Sequence, residues 1–217
     1  MTVAPGYVAF NDRPLGGHEK LLKLVGRGVR VLDVGCSSGY LSRRLVRQGC
    51  SVVGIETDEE AADAARAVCD DVLVGDVETM NLPLLEESFD VVLLGDLLEH
   101  LRDPQSLLRR LRPFLVPGGR LILSTPNVAN WAVRLSLLAG RWRYTDRGIL
   151  DRTHAYLFTR GTLEETLRDA GYRIVEFDFT VPIPVVGTPR IEQVAHAVGR
   201  IRPSFFAYQF VIAAIPT

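Results

Sequence analysis

Asp33, Glu56, Asp76 and Asp96 each stand at or just after the end of a short run of β-branched and aliphatic residues, and the first precedes a turn, Gly35-Cys36-Ser37-Ser38-Gly39. The amides at the start of the helix that follows need partners, so such a turn is a natural ligand site. A dinucleotide fingerprint would carry a middle glycine to let a pyrophosphate approach, and this turn has none. An ionised Asp33 would repel phosphate and suit a ligand bearing positive charge. Glu56 follows about 20 residues on, where nucleotide folds place an acid against ribose hydroxyls, and a carboxylate can accept from both at once.

The elements that must position these acids follow from periodicity. Val29 to Val34 reads as a buried strand, with Ser37 or Ser38 as cap of a helix whose apolar face is Leu41, Leu45 and Val46. Before it, Gly17 to Val25 has helical spacing. Ser51–Glu56, Val72–Glu78, Phe89–Leu94 and Arg120–Thr125 read as four further strands, the last preceded by a Pro117-Gly118-Gly119 turn and stopped by Pro126. Helices are predicted from Asp58 to Val68, capped by Asp58, and from Asp103-Pro104 through Leu111. Alternation of this kind implies a parallel sheet that binds ligands beyond the C-terminal strand ends, where Asn127 also falls. Gly161 to Ala170 reads as a helix. Tyr172–Val181 and Ala207–Ile215 read as an antiparallel pair joined through a helix near Ile191 to Val198, and residues up to about Arg13 as a loose lead-in.

Asp33-Val34-Gly35-Cys36-Ser37-Ser38-Gly39 resembles the first motif, of D-x-G-x-G-x-G type, of the class I S-adenosylmethionine-dependent methyltransferases, departing from it where Ser37 replaces a glycine. The resemblance covers almost the whole chain. It implies an α/β, doubly wound Rossmann-like fold of seven mostly parallel strands with an antiparallel C-terminal edge hairpin. One domain, residues 1–217, would carry a substrate lid at about 127–159. It also implies S-adenosyl-L-methionine as cofactor and S-adenosyl-L-homocysteine as product. The cofactor would be held by Asp33, Gly35, Cys36 and Gly39 in the turn, Glu56 and Thr57, Asp76 and Val77, and Asp96, with Asp76 accepting from the adenine amino group.

Asp96-x-x-Glu99-His100 resembles the E-x-x-E-H run of ubiquinone-biosynthesis O-methyltransferases, with Asp in the first place. Groups at i, i+3 and i+4 of a helical turn share a face, so a divalent metal is chemically possible. Two acids and one histidine are a thin ligand set, and no metal is the expectation. Asp151-Arg152-Thr153-His154-x-x-x-Phe158-Thr159 resembles a segment of small-molecule methyltransferases that sets a histidine above the cofactor methyl. An unperturbed pKa near 6.5 suits His154 to accept a hydroxyl proton; the alternative is a structural histidine bonded to the lid backbone. Arg134, Arg141, Arg143, Arg147, Arg152 and Arg160 crowd the same region with Trp131, Trp142 and Tyr144. Solvated arginines, some paired with Asp146 and Asp151, are the ordinary reading. Where the substrate should enter, guanidinium forks would also grip a carboxylate or phosphate, so an anionic small-molecule substrate is expected.

Composition narrows the classes. A net charge of −1 gives no global field for nucleic acid or an anionic membrane. No apolar run approaches the ~20 residues that span a bilayer, and the first residues lack signal-peptide blocks, so a cytoplasmic protein is expected. Three cysteines without C-x-x-C spacing indicate neither disulfide frame nor zinc site, and Cys36 reads as a small buried thiol before it reads as a nucleophile. The resemblance, with these exclusions, implies transfer of a methyl group to a small-molecule hydroxyl. N- or C-methylation, nucleic-acid methylation and a non-catalytic cofactor-binding module remain as alternatives, with monomer and homodimer both open.

Overall fold

The computed structural model describes residues 15–181, 194 and 196–217. The expected lead-in before Arg13 and most of the expected helix near Ile191 lie outside them; His196 to Gly199 are helical. Seven strands, β1 (Arg30–Val34), β2 (Ser51–Glu56), β3 (Asp71–Val74), β4 (Phe89–Gly95), β5 (Leu115–Pro126), β6 (Tyr172–Thr180) and β7 (Gln209–Pro216), form one sheet in the order β3-β2-β1-β4-β5-β7-β6. The pairs among β1 to β5 are parallel, while β7 runs antiparallel to both β5 and β6. Strand order reverses between β1 and β4, which puts a crevice beyond their C-terminal ends.

Both faces of β1 and β4 are covered, and Val31, Leu32, Val34, Val91, Val92, Leu93 and Leu94 are buried, as strands between two helical layers must be. Helices α1 (Gly17–Val25), α2 (Tyr40–Arg47) and α3 (Glu59–Arg66) pack with Val31, Val52, Val91 and Leu93 on one face. On the other, α4 (Pro104–Leu111) and α6 (Arg160–Asp169) join Leu32, Val92, Leu94 and Phe210. The cap forms as the sequence predicts at α3, where Asp58 accepts from Ala61 N at 2.8 Å; α4 starts at Pro104 as expected, and there Asp103 accepts from Ser106 N. Thr159 and Thr162 add a reciprocal box at the start of α6.

Three expectations are corrected. Helix α2 is capped by Gly39, with no side-chain cap bond, because Ser37 lies inside the turn itself. The third strand stops at Val74, leaving Asp76 in the turn beyond it. Pro117-Gly118-Gly119 does not precede β5 but interrupts it: the register jumps from Phe89↔Leu115 to Val91↔Arg120, so one strand holds the turn as an irregularity.

Candidate active site

The glycine turn is built by local strain and two carboxylates. Gly35 and Gly39 both have φ of 75°, and a Cβ on Gly39 would stand 3.2 Å from the Ala65 backbone. Ser37 adopts φ 50° without a glycine's freedom, a conformation that costs an L-residue about 1 kcal/mol or more. Glu56, from the end of β2, holds it there: Oε2 accepts from Ser37 N at 2.7 Å, and Oε1 accepts from Thr57 N at 2.8 Å and Asp58 N at 3.0 Å. Asp33 is buried and accepts from Ser42 Oγ of α2 at 2.6 Å. Burial pushes its carboxyl up to about 6, with the Ser42 bond opposing, so it is ionised at neutral pH but poised to gain from a cation.

Around this turn stand the other residues expected at the cofactor. Cys36 is buried, and a hydrogen bond with Cys69 together with burial raises its thiol, which disfavours the thiolate that a nucleophile needs. Thr57 is exposed beside Glu56, Val77 is buried, and exposed Asp76 accepts from Glu78 N at 2.9 Å. Asp96, after β4, takes φ 52°, and its Oδ1 accepts from Ser124 Oγ at 2.7 Å and Gln209 Nε2 at 2.5 Å. Leu97 lies against Gly35, where a Cβ would meet it at 3.0 Å. Asp96 thus borders the glycine turn while being tied to β5 and β7.

Across the crevice the insertion delivers a second cluster. The segment 149–158 is docked at its base: Tyr156 N donates to Glu99 O at 2.9 Å, Val128 N donates to Phe158 O at 2.9 Å, and Ile149, Asp151, His154 and Phe158 are buried. His154 Nδ1 lies 3.0 Å from Ile149 O. A carbonyl can only accept, so in the neutral ring Nδ1 carries the hydrogen and Nε2 is a bare lone pair. Among the described residues, that Nε2 has no hydrogen-bond partner, nor has Glu99 Oε1, although both are buried. The other Glu99 oxygen accepts from Thr125 Oγ1 at 3.0 Å. Burial, and then the nearby Asp96 charge, push the Glu99 carboxyl well above its usual range. His100 completes the group, its ring 4.9 Å from that of His154 and its pKa lowered by burial and by His154. One donor atom each from Glu99, His100 and His154 lie within 4.8 Å of one another.

The sequence pattern joined Asp96, Glu99 and His100; among the described residues the fold joins Glu99 and His100 to His154 instead, with Asp96 outside the group. Asn127 is not at the site: its amide is tied to Ser204 O and Ala207 O and caps Ala129 N. The expected arginine grip also fails to close on the crevice. Arg134, Arg141, Arg143, Arg147 and Arg152 are exposed, Arg152 pairs with Asp146 at 2.9 Å, and Arg160 pairs with Glu164 and lies over Phe177. Sequence reasoning missed Ser42, Ser124, Thr125 and Gln209. Ser124 and Thr125 close an apolar run, a detectable signal of buried partners; Ser42, between Leu41 and Arg43, and Gln209 carried none.

Residues 11–177 match the family model described as methyltransferase domain. The chain is similar to the ubiquinone biosynthesis O-methyltransferases of Xanthomonas axonopodis pv. citri, 34% identical over 70% of this chain and 66% of that protein, and of Psychrobacter arcticus, 30% identical over 77% and 65%. It spans just under two thirds of the length of the first of these curated relatives. A SAM-dependent methyltransferase of Archaeoglobus fulgidus has the same fold, with a TM-score of 0.64 at 18% identity over 91% of each chain. The motif, sheet order and family match agree, and the chain belongs to the methyltransferase domain family, with S-adenosylmethionine as its cofactor.

Proposed function

We propose that the protein transfers the methyl group of S-adenosylmethionine to a hydroxyl oxygen of a small molecule. When bound, the cofactor supplies a sulfonium-activated methyl carbon. The nucleoside would lie along Glu56, Thr57, Asp76 and Val77, and the methionine end along Asp33, Gly35, Cys36, Gly39 and Asp96. The relatives' O-methyltransferase names support oxygen as the acceptor atom. The observation that carries the reading is His154: a buried imidazole, fixed by Ile149 O, whose unpartnered Nε2 suits removal of a hydroxyl proton as the oxygen attacks. Alignment of that oxygen with the methyl carbon supplies much of the remaining acceleration. The neutral overall charge argues against a nucleic-acid acceptor. Incubation with cofactor and a metabolite panel, followed by mass spectrometry, tests the proposal; a product heavier by one methylene whose fragments carry the added methyl on oxygen is expected, and an N-methylated product would overturn the oxygen assignment.

A second reading rests on the two orphaned atoms. Glu99 Oε1 and His154 Nε2, with His100, are a carboxylate and imidazole set that fits a divalent cation, which would act as a Lewis acid on the acceptor oxygen. His154 would then be a ligand and not the proton acceptor. Calorimetric titration of the protein with Mn²⁺ separates the two: binding abolished by Glu99→Gln and His154→Gln supports the cation, and no heat in the parent protein leaves His154 as the base.

A further inference from the structure

The turn that carries Asp76 is closed by a side chain from a distant helix. Asp76 Oδ1 accepts from Glu78 N at 2.9 Å, and its carbonyl accepts from Thr79 N at 3.0 Å and Met80 N at 2.8 Å, so residues 76–80 form one tight turn after β3. Such a turn leaves carbonyls at its far end in need of donors, as the last turn of a helix does. Arg110 of α4 supplies them. Its Nη1 donates to Val77 O at 2.8 Å and Glu78 O at 2.6 Å, and its Nη2 donates to Met80 O at 2.6 Å. A planar fork with fixed donors suits three converging acceptors, where the single nitrogen of a lysine would not. Val77, buried in the core, pins the same turn from its apolar side. Glu78 ties it once more, its Oε1 accepting from Arg102 N at 3.0 Å and Asp103 N at 2.8 Å at the start of α4. Arg134, Arg141, Arg143 and Arg147, on and after helix α5 (Trp131–Leu138), are exposed, whereas Arg110 is half-buried and spent on backbone 30 to 33 positions away.

We propose that Arg110 is a positioning residue for the adenine end of the cofactor: by clamping the carbonyls of the turn it fixes where the Asp76 carboxylate points, and so how strictly the site demands an amino group on the purine. This rests on the reading that Asp76 accepts from that amino group. Asp76 is exposed and its carboxylate bonds within the turn, so the turn sets its direction and Arg110 sets the turn. Adenine offers a donor at this position; hypoxanthine offers an oxygen, which a carboxylate repels. Arg109, one position earlier on α4, donates instead to Asp169 O at 3.0 Å and serves as the control.

Calorimetric titration of the full chain with S-adenosylhomocysteine and with S-inosylhomocysteine tests the proposal. The parent protein should favour the adenosine form by about ten-fold or more, the scale of one hydrogen bond to a charged group. Arg110→Gln should bring the two ligands near parity, a loss of about ten-fold in preference, while Arg109→Gln keeps the parent's preference. Arg110→Lys, which keeps the charge on one nitrogen, should fall between them, and it carries the same comparison if the glutamine variant does not fold. Asp76→Asn tests the underlying reading by itself, because its amide can turn a donor toward the inosine oxygen and should erase the preference. A preference kept in Arg110→Gln but lost in Asp76→Asn overturns the role of Arg110 and leaves the adenine contact standing; a preference kept in both removes the two together. Equal losses in Arg109→Gln and Arg110→Gln would also overturn it, as a general effect of disturbing α4.

Discussion

The two sides of the crevice differ in how completely their polar groups are satisfied. On the β1–β2 side, Glu56 already accepts from three backbone amides and Asp33 from Ser42. On the side of the insertion, Glu99 and His154 are also buried, and each keeps one atom without a partner among the described residues. Buried polar groups are nearly always paired, and an orphan calls for an explanation, of which a catalytic role, a ligand and an ordered water are the usual ones. The first side is a scaffold that holds its own shape before cofactor arrives; the second is finished only by what binds there.

That contrast can be broken most directly at His154. If its bare Nε2 is the proton acceptor, His154→Ala should lower turnover by ~10²–10⁴ with cofactor affinity unchanged, as measured by steady-state kinetics beside calorimetry with S-adenosylhomocysteine. On the satisfied side, if Glu56 holds the ribose as proposed, Glu56→Ala should weaken that calorimetric binding by about 3 kcal/mol, since that contact and the anchor of the Ser37 amide would vanish together; unchanged affinity would remove Glu56 from the cofactor site.

A smaller effect sharpens the same comparison through pH. The Asp33 carboxyl is raised from 3.8 to about 6 in the folded chain. Below 3.8 the group is neutral folded or unfolded; as pH rises through 6 the unfolded chain ionises more readily, and stability is lost. In thermal melts without cofactor, Asp33→Asn should therefore gain on the parent protein by an amount on the order of 2 kcal/mol at pH 7.5, with the gain fading by pH 4. Cofactor binding should weaken in the same variant. The smallest change is expected at Arg152, whose ion pair with Asp146 is solvent-exposed: Arg152→Ala should shift melting and the acceptor Michaelis constant by under ~1 kcal/mol. A large rise in that constant would return the arginines to acceptor recognition.

Legibility in the sequence divides along the same line. The β1 turn, Glu56 and the caps at Asp58 and Asp103 are made by residues close in sequence, where spacing and turn chemistry carry the information. Strand order and the antiparallel edge follow from alternation and the family resemblance. The pairing of Glu99 with His154 spans 55 positions, and Gln209 reaches Asp96 across 113; no local period encodes either. The insertion misled for a related reason. Its arginines mark a charged segment, but only tertiary packing decides that 149–158 turns inward while 131–147 stays out.

The placement of β7 bears on how the chain is made. β6 is synthesised first, yet among the named strands it pairs only with β7, which lies between it and β5. Until residues 209–216 leave the ribosome, β5 lacks its outer neighbour and β6 has no strand to join. Two apolar edges therefore wait together in the nascent chain, as sites for mispairing. A product halted at Tyr208 should keep the cofactor-side strands while drawing chaperones or aggregating, so the sheet is completed by a late insertion and not by growth from one side.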